Sequence, residues 1–247
     1  MTRALELDAG IHSLVLVGDY GSGKTEVSVN LALHLVRQGS QLAIADLDLV
    51  NPYFRCREAH EPLEQAGIRV VMPQGGHQFA DLPILLPQVK GLLQDRETLS
   101  VLDVGGDEAG SRVLAGLAPQ FDPGRHHLWF VVNARRPFCD TPEGVLAAIR
   151  RVEQGAGGWR VTGLVSNTHL MEETTPEMIH EGLSTSQTVA AELGVPVALV
   201  AVMADVARRL DPETLAMPLL EMTRLMVPPW VRRGGADVAA MRLGTDR

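Results

Sequence analysis

One stretch limits what this chain can fold into more than any other: "LVLVGDYGSGKTEVSVNLALHL", Leu14 to Leu35. An aliphatic run ends at Gly18, and an apolar-periodic stretch begins near Lys24. Between them, Gly18, Gly23, Lys24 and Thr25 satisfy G-x-x-x-x-G-K-[ST], with Asp19, Tyr20, Gly21 and Ser22 inside the loop and Glu26 just after it. Each residue type has a physical role. Glycines let backbone N–H groups turn inward around phosphate oxygens. A helix that starts at Lys24 aims its N-terminal dipole at the same anion. The Lys24 ammonium reaches β- and γ-phosphates, and the Thr25 hydroxyl is offered to Mg²⁺. Gly18 to Glu26 are therefore the candidate nucleotide-binding residues, and Lys24 is also a candidate catalytic residue.

Such a loop needs a buried strand before it and a helix after it, and the rest of the chain supplies more of both. Short apolar runs at 12–17, 41–46, 68–72, 99–104, 127–133, 159–167 and 196–202 read as strands. They are continuous rather than alternating, as in parallel sheets covered by helices on both faces. Helical stretches separate them: 24–38 with Gly39 as the stop, a short one at 61–67, one at 82–95, and two that open on Thr-Pro-Glu at 141–155 and 175–194. Thr as cap and Pro at the first helical position favour those starts. The segment 211–226 reads as a last helix, interrupted by Pro218. The expectation is a three-layer α/β P-loop NTPase fold over residues 1–227, with a mostly parallel sheet of about seven strands. Residues 228–247 form a C-terminal tail, which is a packed extension, a partner-binding arm or a disordered segment.

Composition narrows the partners. The chain has 247 residues, 45% of them hydrophobic, enough for a sizeable core. Its net charge of −8 disfavours a general nucleic-acid binder, which needs clustered Lys and Arg. Cys56 and Cys139 are the two cysteines and stand far apart, so a reducing compartment is the simpler reading than a disulfide framework. No secretory h-region follows Arg3, and no stretch approaches the roughly 18 apolar residues of a membrane span. A cytoplasmic protein without a membrane span is expected.

Acidic residues stand where the sheet's C-terminal edge would lie. "AIADLDLVNPYFR" ends a strand with Asp46 and Asp48, candidates to hold Mg²⁺ or position water; the alternative is a polar turn. "LSVLDVGGDEAG" ends another with Asp103, the Walker B pattern, where a carboxylate holds Mg²⁺ through water. Asp103 and Gly106 also fit D-x-x-G, in which the glycine N–H senses a γ-phosphate. Asp107 and Glu108 read as helix-capping acids. Tyr53 and Phe54 beside Arg55 and Arg57 pack on the nucleotide or on a partner, or anchor a loop. Arg135 and Arg136, after Asn133, meet phosphate or a partner's acids, or line a solvated loop. His77 lies in a glycine-bearing loop that can face a substrate, and His126 and His127 are structural.

With the P-loop at 18–25, the D-x-D at 46–48 and the Walker B Asp103, the chain resembles the MinD/ParA/CobQ-type branch of P-loop hydrolases, the SIMIBI-like NTPases. That resemblance implies ATP with Mg²⁺, and often a dimer closing over nucleotide. It makes Asp48 the water-positioning acid, and Asn167 in "GLVSNTHL" the residue that reads the purine edge. No Lys or Asp follows Asn167 in the N-K-x-D pattern, which favours ATP over GTP. The chain departs from the branch at Asp19, which occupies the place of a lysine that reaches across the dimer. A carboxylate there cannot neutralise transition-state charge. It can bind Mg²⁺, pair with an arginine such as Arg55, or face solvent. "DLDLVNPYFRCRE", "VVNARRPFCDTPE" and "GLVSNTHLMEETTPE" are similar to a less characterised subgroup. The implied function is an ATPase acting as a nucleotide-dependent switch, with a homodimer or another protein as partner. The alternatives are a ligase or phosphoryl-transfer enzyme of dethiobiotin synthetase type, and a regulatory ATP-binding subunit with little turnover.

Overall fold

Leu14 and Leu16 of strand β1 (Ser13–Val17) pack into one hydrophobic layer, while Val15 and Val17 pack into another, and all four are fully buried. Successive side chains of a strand point to opposite faces, so a strand apolar at every position needs cover on both. The computed structural model supplies that cover. It describes residues 5, 7–8, 10–48, 59–71, 82–122, 124–211 and 214–226, and for 82–86 the backbone alone. The sheet continues with β2 (Leu42–Leu47), β3 (Arg69–Val71), β4 (Leu99–Val104), β5 (His126–Val132), β6 (Gly163–Ser166), β7 (Val197–Met203) and β8 (Leu219–Met222). Its order is β3-β2-β4-β1-β5-β6-β7-β8, and every described pairing is parallel.

Helices α1 (Lys24–Arg37) and α2 (His60–Gln65) cover the Leu14/Leu16 face through Val27, Leu31, Leu35 and Leu63. The Val15/Val17 face is covered by α3 (Leu82–Gln94), α4 (Glu108–Leu117), α5 (Pro142–Gly155) and α6 (Pro176–Leu193), through Leu92, Leu114, Ile149 and Leu183 among others. A short α7 (Ala204–Ala207) follows β7. Thr141 and Thr175 cap α5 and α6 by accepting from Gly144 N–H and Met178 N–H. These starts match the Thr-Pro-Glu reading.

Two elements differ from the sequence expectation. Among its described residues segment 211–226 forms no α-helix, and Leu219–Met222 form the eighth, edge strand instead. Pro218 cannot extend a helix but its carbonyl accepts from Val200 N–H at 2.9 Å, which opens the parallel ladder with β7. Leu220 and Met222 are buried while Glu221 is exposed, so the segment alternates once it is placed at the edge. The sixth strand is shorter than expected and starts at Gly163, because Val161 N–H is already taken by Glu153 Oε1 at 2.9 Å. Among the described residues no helix is long and apolar enough to cross a membrane. The tail at 228–247, Asn51 to Arg57 and His77 lie outside the described residues.

Candidate functional site

The phosphate loop joins β1 to α1 near the middle of the sheet, with β4 and β5 as its strand neighbours. Gly23 is the residue before α1 and has φ 82, in the left-handed region that glycine adopts without penalty. A Cβ there would lie 2.5 Å from Asn167 Nδ2, so the position excludes side chains by space as well as by conformation. Asn167, at the end of β6, donates from Nδ2 to Ser22 O at 2.7 Å and braces the loop from across the sheet. Arg136 donates from Nε to Gly21 O at 2.8 Å and braces its crest. Beside Gly18 the Ser22 hydroxyl is buried and has no hydrogen-bond partner among the described residues. A buried polar atom left so is costly, and a phosphate oxygen at the loop would satisfy it.

The acids gather at the loop as the motif spacing predicts. Lys24 Nζ lies 2.8 Å from Asp48 Oδ2, and both side chains are almost fully buried. Burial opposes the Lys24 charge, but Asp48 and then Asp103 outweigh it and hold the ammonium above its ordinary range. Asp46 and Asp103 are register partners on the adjacent strands β2 and β4, and Asp46 Oδ1 accepts from Asp48 N–H at 3.2 Å. Asp103 takes hydrogen bonds from the hydroxyls of Thr25 and Ser28, the latter at 3.3 Å. Burial pushes its carboxyl up to about 6, against the pull of Lys24. A hydroxyl paired with a buried carboxylate at a helix N-terminus is a donor set that fits Mg²⁺, a hard cation that takes oxygen ligands.

Gly106 packs against the loop: a Cβ there would meet Gly18 O at 2.0 Å. Asp107 then caps α4 by accepting from Gly110 N–H at 2.8 Å, as expected, and Glu108 is the first helical residue. Asp19 turns away from the cradle. Its Oδ2 pairs with Arg151 of α5 at 3.0 Å and accepts from the Cys139 thiol at 3.7 Å. Of the options left open by the sequence, pairing with an arginine is the one seen, and the arginine is Arg151 rather than Arg55, which lies outside the described residues. Burial, and then Asp19, push the Cys139 thiol up to about 11, so it carries little thiolate. Tyr20 is 78% exposed and makes no wall of the cradle. Arg135 pairs with Glu181 at the surface. His126 and His127 sit at the far end of β5 and bond to Asp122 O and Thr162 Oγ1.

From the phosphate loop a cleft runs along α1 between the ends of β6 and β7 and the chain beyond β8. Gly23, Lys24 and Thr25 line one end, and Met203, Met222, Arg224 and Met226 line the other. His169 stands between them, with its backbone N–H and O both bonded to the Asn133 amide. Burial, with Arg136 and Arg224 nearby, lowers its pKa to about 4, so its imidazole is neutral near pH 7. Glu26 is the lining carboxylate among the described residues, and it accepts from Leu225 N–H and Met226 N–H. Burial raises its pKa in spite of those bonds. The motif spacing pointed to the loop and its acids. His169, Arg151 and the fastening at Glu26 depend on residues distant in sequence and carried no local signal.

No family model and no curated protein matches the sequence. Solved structures do. The chloroplast FtsY from Physcomitrella patens is similar at TM-score 0.54 and 18% identity, over 81% of this chain and 62% of that one. The signal recognition particle 54 kDa protein from Aeropyrum pernix K1, in complex with GDP, gives 0.52 and 20%, over 79% of this chain and 42% of that one. The cell division protein FtsY from Thermotoga maritima gives 0.51 and 18%, over 87% and 70%. The chain thus spans under half of the 54 kDa protein's length and about three fifths of the chloroplast FtsY. The likeness is one of fold: a parallel sheet flanked by helices, as in P-loop NTPases.

Proposed function

We propose that the chain binds a Mg²⁺–nucleoside triphosphate at residues 18–26 and acts as a nucleotide-dependent switch in the cytoplasm, with ATP as the preferred nucleotide. The observation that carries this reading is the buried Lys24–Asp48 pair, 2.8 Å apart, below a loop whose Ser22 hydroxyl has no partner among the described residues. Lys24 and the loop N–H groups would hold the β- and γ-phosphates, and Thr25 with Asp103 would hold Mg²⁺. Bound Mg²⁺ supplies charge neutralisation at the phosphates. Asp48 is held in place by Lys24 and is the residue to orient an attacking water once that contact passes to phosphate. Gly106, packed on Gly18, is where a γ-phosphate would be sensed, and the α4 cap at Asp107 is where the change would travel.

Preference for adenine is supported by the cleft. Guanine recognition calls for a carboxylate to accept from its N1 and N2 groups. Glu26, the lining carboxylate among the described residues, is already engaged by two backbone N–H groups. The similar 54 kDa protein was solved with GDP, so the base is the point to measure first. The test is calorimetric titration of ATP and GTP with Mg²⁺ into wild type and Lys24→Ala. Wild type is expected to bind ATP more tightly than GTP, and Lys24→Ala to bind neither measurably. Unchanged ATP affinity in the variant would sink the site assignment, and tighter GTP binding would reverse the base assignment.

A second reading, a regulatory nucleotide binder with little turnover, is favoured by Asp19. Its carboxylate is tied to Arg151 at 3.0 Å, where the resembling branch has a cation for the partner's nucleotide. Tight ATP binding without phosphate release, with or without added protein partners, would select this reading.

A further inference from the structure

The wall of the cleft far from the phosphates is held by the same helix that begins at the phosphates. Beyond β8 the chain runs past the first two turns of α1. Asn30 brackets Thr223, donating from Nδ2 to its O at 3.0 Å and accepting from its N–H through Oδ1 at 2.8 Å. One turn earlier, Glu26 accepts from Leu225 N–H at 2.6 Å through Oε1 and from Met226 N–H at 3.1 Å through Oε2. Residues four apart lie on one face of a helix, so Glu26 and Asn30 form a single row of fasteners. Met222, Arg224 and Met226, at every second position, line the cleft. A staple serving only the sheet edge would have no reason to direct this row into the cavity that also contains Lys24 and Thr25.

Resting on the nucleotide reading above, the geometry points to Glu26 and Asn30 as positioning residues. They set the 223–226 strap as the wall against which the nucleoside half of the bound nucleotide packs. Phosphate contacts at the N-terminus of α1 and nucleoside contacts at the strap are thereby held at a fixed spacing by one helix.

Two probes separate the halves of the ligand: Mg²⁺–ATP, and inorganic tripolyphosphate with Mg²⁺, which lacks the nucleoside. In the full chain, Glu26→Ala is expected to bind Mg²⁺–ATP about tenfold more weakly while tripolyphosphate binding stays within about twofold. Glu26→Gln keeps one acceptor oxygen and should recover part of the loss. Asn30→Ala, a change that α-helices favour, removes the other two bonds and should show the same split between probes while keeping the fold. Alanine variants that bind Mg²⁺–ATP like wild type overturn the proposal, and so do variants that weaken both probes in equal proportion. Wild type that binds ATP but not tripolyphosphate leaves the nucleoside wall as the dominant contact and supports it. Wild type that binds neither overturns the phosphate-site reading, and this proposal with it.

Discussion

At the scale of single residues, the site is a set of buried charges that depend on one another. Lys24 is held between Asp48 and Asp103, so removing it leaves carboxylates buried without their counter-charge, and its loss should weaken the fold as well as the binding. His169 shows the opposite solution, a titratable group buried in its neutral form. Unfolded, it takes up a proton near the usual 6.5, whereas burial with Arg136 and Arg224 nearby delays this to about 4 in the folded chain. Between those values the unfolded chain binds more protons, so stability falls as pH drops through the window. The expected cost by pH 4.5 is roughly 2–3 kcal/mol from this residue. Urea denaturation of wild type and His169→Gln at pH 7 and pH 4.5 measures it. The same pH sensitivity in both would remove His169 as the cause.

At the scale of elements, the turn from β4 into α4 joins the nucleotide loop to the outer helices. Gly106 packs on Gly18, and the next residue caps the helix through Gly110 N–H. Asp107→Ala should cost about 1 kcal/mol in stability, and Asp107→Ser should restore most of it. Chemical denaturation reads the difference, and an alanine variant as stable as wild type would show that the cap is not used. Caps of this kind are legible in sequence because their chemistry is local: Thr141 and Thr175 announce α5 and α6, and Gly23-Lys24-Thr25 announces α1. The strand at 219–222 is not legible, because its apolar residues suit a helix equally well. What decides is the open edge of β7 and a proline that can accept a ladder bond but not donate one. The partner of Asp19 escapes for a similar reason: Arg151 is 132 residues away and sits on an ordinary-looking helix face.

At the scale of the whole molecule, two apolar layers sandwich one parallel sheet, and the cleft opens along its C-terminal edge, where ligands bind in open α/β folds. The layer order and the place of the site could be read from continuous apolar runs and one loop. The closure of the cleft by the chain beyond β8 could not, because it rests on hydrogen bonds between residues 193 to 200 positions apart. The strand order has a further consequence, in time rather than space. β1 is flanked by β4 and β5, so Leu14 lies beside Val101 and His127, and no neighbour of β1 comes from the nearby sequence. Contacts that distant form slowly, since loop-closure entropy is lost before they stabilise anything. The phosphate loop is therefore among the last places to become competent. In refolding from denaturant, fluorescence from a bound nucleotide analogue is expected to rise with the slowest phase, and its appearance in the first fast phase would contradict this. A chain leaving the ribosome would carry its loop unsupported until residues 99–132 had followed it out.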